Sequence, residues 1–118
     1  MALDLTNTAK TFVSNISSAV KDTTTQDLTT LKGFSEEQLD SLARQSALVA
    51  GMIEKNEFTD DERDFFLIGL QNMASSFVHT LIGMLEVEIE KIYNAVVKAI
   101  YDSISSLAKV ALAVPVPV

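Results

Sequence analysis

His79 is the only histidine of the chain. As a general base it would need a nucleophile held against it, and as a metal ligand it would need other donors converging on the same ion. The nearest following carboxylates are Glu86, Glu88 and Glu90. On a helix Glu86 and Glu90 share a side while Glu88 points away. A di-iron carboxylate bundle requires Glu-x-x-His pairs, and the sequence has none. The acidic segment 57–64 lacks the glycine and the ligand spacing of a calcium loop. No serine sits in a nucleophile motif, and there is no glycine-rich phosphate loop. With no cysteine, thiolate metal sites and disulfides are excluded. The acidic groups therefore read as solvated helix faces and caps, and His79 as a hydrogen-bonded interior or stripe residue. We expect no catalytic residue, no metal ligand and no cofactor, and an enzyme is the least expected class.

What remains is a chemistry of association, and it depends on the elements. Leu5, Ala9, Phe12, Ile16 and Ala19/Val20 repeat at three- and four-residue spacing, which predicts an amphipathic helix over about 4–21. Asp22 and three threonines should end it, because β-branched residues lose side-chain freedom in a helix and Asp and Thr compete for its backbone. Residues 22–33 read as a connector, with a short helical turn near Leu28–Leu31. Ser35 and Gln38 fit a capping box, with Phe34 and Leu39 as its hydrophobic staple. They begin a second helix over about 35–55 that Asn56 should stop. Thr59 and Glu62 form another box, and Asp60, Asp61 and Glu62 favour the positive end of a helix dipole there. The very short link between these helices requires a helical hairpin.

From Thr59 onward the apolar pattern fits one helix to residue 113, where Pro115 and Pro117 stop it. A straight helix over that stretch would be roughly 80 Å long. A compact chain of 118 residues has a radius of gyration of about 13–14 Å. Either the helix breaks, near Gly83–Glu90, and returns as a fourth helix, or the chain is elongated and buries its apolar surface on other chains. Gly83 weakens a helix by roughly 1 kcal/mol but does not force a kink. The fold class is all-α: one domain built on a helical hairpin, with a long C-terminal helix and an N-terminal amphipathic helix, expected to oligomerise.

Three features mark the expected interface. Gly69, Ser76 and Gly83 fall a heptad apart, and small residues at that spacing let helices approach closely. Leu85, Ile89, Ile92, Val96, Ile100, Ile104 and Leu107 keep the three-four spacing of a coiled-coil-like seam. Val114, Val116 and Val118 alternate with prolines in an extended apolar tail suited to folding over its own bundle or entering a neighbour's groove.

Hydrophobic residues make up 47% of the chain, so apolar surface should be left over from a small core. The uncharged run 65–85 is long enough to span a bilayer. Its internal polar residues and acidic flanks argue for a bundle core instead, and no Lys/Arg excess sets an orientation. The net charge of −7 disfavours nucleic acid and anionic membranes, and leaves room for a basic protein partner. The N-terminus has no secretory signal pattern, so cytoplasmic residence is the default expectation. The leading functional expectation is a non-enzymatic scaffold acting through homo-oligomerisation. The alternatives are a small acidic inhibitor, immunity or adaptor protein, and a membrane-active helical protein.

Overall fold

The computed structural model describes residues 4–115. Four helices pack as a bundle: α1 Leu5–Thr24, α2 Glu36–Glu54, α3 Asp60–Val78 and α4 Glu86–Ala108. A single 3₁₀ turn, Leu28–Thr30, interrupts the first connector. The all-α expectation holds, and so does the α2–α3 hairpin across its short link.

The helix starts follow their capping chemistry. Asp4 accepts from the Thr6 N–H and caps α1. Ser35 accepts from the Gln38 N–H at 3.2 Å, with Phe34 packed on the core and Leu39 buried. At α3 both arms of the box form: the Thr59 N–H donates to Glu62 Oε1 at 2.9 Å, and the Glu62 N–H donates to Thr59 Oγ1 at 3.2 Å. Asn56, expected as a stop, adopts the left-handed conformation just beyond α2.

α1 runs three residues past its expected end. Thr23 and Thr24 stay helical because their hydroxyls donate back to the carbonyls of Ala19 and Val20, so the hydroxyls join the helix rather than compete with it. Thr25 ends α1 in the left-handed conformation.

The single helix over 59–113 is corrected. The chain stops being helical after Val78 and restarts at Glu86. Three features make the break. The His79 ring and the Thr80 hydroxyl bond the Ser75 and Phe77 carbonyls. Gly83 takes a φ of +79°. The Ile82 N–H leaves the helix altogether and donates to Lys32 O at 2.8 Å, tying the reversal to the connector before α2. Gly33, at φ +86°, makes that approach possible: a Cβ there would lie 2.1 Å from Thr80 O.

Reversal returns α4 to its own chain. α1 packs most extensively on α4 and α2. Phe12, Ile16 and Val20 of α1 join Leu42 and Ala43 of α2, Leu70, Ala74 and Phe77 of α3, and Ile92, Val96, Ile100 and Ile104 of α4 in one buried cluster. The radius of gyration is 13.7 Å and the extents are 41 × 26 × 20 Å, far from the 80 Å rod. Two side-chain hydrogen bonds fix α4 laterally: Asn15 Nδ2 to Ser103 Oγ at 2.8 Å, and Gln71 Nε2 to Tyr101 Oη at 2.9 Å.

Beyond Lys109 the tail forms an extended strap. Val110, Leu112 and Val114 pack on the core while Ala111, Ala113 and Pro115 face outward. Gly33→Ala should destabilise the chain well beyond Gly83→Ala, because only at Gly33 must backbone move to admit the methyl. For Gly83→Ala, with open space around it, the left-handed conformation alone should cost about 1–2 kcal/mol. Urea unfolding monitored by circular dichroism measures both.

Candidate functional site

The expected interface residues divide once the chain reverses. Ile92, Val96, Ile100 and Ile104 are fully buried in the chain's own core, so this fold offers none of them to a second chain. Ile89, Leu107 and Val114 are half-buried against that core. Gly69 and Ser76 share the outer part of α3, but Gly83 lies in the loop beyond its end. The three-residue stripe is therefore broken, since it required one continuous helix. Val116 and Val118 lie outside the described residues.

Leu85 is the seam residue left in water, and it has company. Ile82, Leu85 and Val87 are 60%, 67% and 55% exposed within six consecutive residues at the α3–α4 corner. Leu85 occupies the N-cap of α4, where its side chain accepts nothing. Its backbone N–H is held instead by the Glu88 carboxylate at 3.3 Å. Glu86, Glu88 and Glu90 follow in the first turns of α4 and Glu36 and Glu37 open α2, while the exposed Lys32 lies at the Ile82 contact itself. Negative charge is favoured at both helix starts. The corner thus carries exposed apolar groups next to a sequence segment richer in acidic than in basic residues. Ile82 and Val87 were missed as surface residues in the sequence. The available signal was Gly83 followed by acidic residues at 86 and 88, a helix start that the missing capping side chain concealed.

His79 is the C-cap of α3 and is exposed, hydrogen-bonded as expected but not interior. Its Nδ1 lies 2.7 Å from Ser75 O; a carbonyl only accepts, so Nδ1 donates this bond. An open cavity of about 300 Å³ there is lined by Ser75, His79, Glu86, Ile89, Glu90 and Tyr93. Histidine and two carboxylates share a wall but do not converge: among the described residues no group of three or more His, Cys, Asp or Glu could hold a metal ion. Also among the described residues, no helix is long and apolar enough to cross a membrane, because the run 65–85 is interrupted at His79.

Two groups have displaced protonation equilibria. The Thr59 backbone and hydroxyl hydrogen bonds lower the pKa of Glu62 below its ordinary 4.5. Burial raises that of Tyr101 above 10.0, against the opposing bond from Gln71. The first belongs to the α3 cap and the second to the α3–α4 contact. No family model, curated protein or solved structure matches this chain.

Linkage gives each group a window. The Glu62 contribution is present above the unfolded glutamate pKa and lost as pH falls through the lower folded value, so Glu62→Gln should flatten the acid limb below about pH 4.5. The Tyr101 contribution is present below pH 10 and lost as pH rises through the raised folded value. Tyr101→Phe should flatten that alkaline limb while lowering stability at neutral pH, since Gln71 loses its acceptor. Thermal unfolding from pH 3 to 11 reads both variants.

Proposed function

We propose that this chain is a small acidic, non-catalytic binding module of the inhibitor or adaptor kind. It presents its α3–α4 corner to a basic, apolar-faced segment of a partner protein. The observation that carries this reading is the fate of the long apolar seam. Folding returns the seam to the chain's own core, which removes the main reason to expect an extended scaffold. The apolar surface left at the corner, Ile82, Leu85 and Val87, is followed in sequence by Glu86, Glu88 and Glu90, in a chain of net charge −7. Apolar anchors supply affinity, and the surrounding carboxylates speed encounter with a cationic partner and select it.

A second reading, self-association through α3, has one observation of its own. Phe65 and Ile68 are 71% and 55% exposed on the outer side of α3 that also carries Gly69 and Ser76. Light scattering separates the two. The binding-module reading expects a monomer of 12.8 kDa. A discrete multiple that Phe65→Ser returns to monomer would move the assignment to self-association.

The module itself is tested with a fluorescent amphipathic helical peptide of leucine and lysine. Anisotropy should show saturable binding that weakens about tenfold when salt rises from 50 to 300 mM, as charge screening requires. The Leu85→Asp/Val87→Asp variant should lose it. Equal binding by wild type and variant would reject the corner as the docking surface.

A further inference from the structure

At the opposite end of α4 the strap and α3 enclose an open trough of about 460 Å³. Leu67, Leu112 and Tyr101 lie at its apolar base. Arg63, Asp64, Ile68 and Gln71 form the α3 wall. Ala111, Ala113 and Pro115, the outward residues of the strap, form the other.

What the trough lacks is shown by the edge of the strap. The two-residue period of its burial is that of an extended chain. In an extended chain successive N–H groups point to opposite edges. That of Leu112 donates to Ser105 Oγ on α4 at 3.3 Å. Those of Ala111 and Ala113 therefore point to the other edge, and neither has a partner among the described residues. Pro115, next in the same register, has no N–H, so the open edge stops there. Small side chains at 111 and 113 leave space for a neighbouring strand.

An unpaired extended edge is a template for another strand. We propose that the trough docks an extended peptide of small apolar residues headed by lysine or arginine. The peptide backbone pairs with the N–H groups of Ala111 and Ala113. Its basic head meets Asp64, with Asp60 and Asp61 one turn away. The alternating apolar side chains enter between Leu67, Ile68 and Leu112. This surface is separate from the α3–α4 corner and does not rest on the function assigned there.

The strap's own segment, residues 109–115, is lysine followed by small and branched apolar residues, and so has the required chemistry. The probe is a synthetic peptide of that segment, added to the intact ¹⁵N-labelled chain. Saturable shifts of the Ala111 and Ala113 amide signals are expected, with sub-millimolar affinity. Ala113→Pro, which removes one of the paired donors, should weaken binding at least tenfold with helicity unchanged. N-methylation of alternate peptide amides should do the same from the other side, and needs no mutant to fold. Leu85→Asp should leave binding intact. Absence of saturable shifts at millimolar peptide overturns the proposal. Binding that ignores both Ala113→Pro and N-methylation also overturns it, since apolar adsorption would then suffice.

Discussion

The reversal at residues 79–85 decides which apolar surface the chain buries and which it leaves in water. Its anchor is the hydrogen bond from the Ile82 N–H to Lys32 O, made possible by the bare Cα of Gly33 beneath Thr80. Without that turn α4 would continue the line of α3. Ile92, Val96, Ile100 and Ile104 would then have no cover from α1. With it, one chain fills the position that a second chain would take in an elongated assembly. Core burial is favoured roughly in proportion to apolar area removed from water. A turn that brings all four of these side chains to nearly zero exposure therefore outweighs the lost helical hydrogen bonds and the strain of a left-handed residue.

The same reversal creates the acidic corner. A helix start places unpaired N–H groups at one end, and carboxylates favour that position. Glu88 accepts the first of these groups, the backbone N–H of Leu85 at the N-cap. The apolar side chains at 82, 85 and 87 are left outside because the loop that carries them turns away from the core. Structural and interaction roles thus meet in the same six residues. In the binding-module reading proposed above, the glutamates that stabilise the helix start also select for cationic partners.

The C-terminal strap is organised by a different rule. α4 ends at Ala108 with Lys109 in the left-handed conformation, well before Pro115, and the strap's alternate residues divide between core and solvent, as the period of an extended chain requires. It covers part of the bundle with little conformational freedom to lose. In doing so it exposes one edge of its own backbone beside Arg63. The strap is both a lid on the core and a wall of the trough.

Local signals determined the starts of α2 and α3, the stop at Asn56, the 3₁₀ turn and the assignment to an all-α fold. Ser35, Thr59 and Glu62 act within one turn of their own helix, so sequence neighbours suffice to read them. The apolar stripe of α4 was equally legible as a stripe, because a 3.6-residue period depends on nothing but the chain itself. Its partner was not legible. The same seam serves a neighbouring molecule or the chain's own α1, and the choice rests on a contact between Lys32 and Ile82, fifty residues apart. The corner was hidden for a related reason, since helix propensity near Gly83 permits continuation and only tertiary packing makes the break favourable. The trough between Arg63 and the strap likewise arises only when two distant segments are brought side by side.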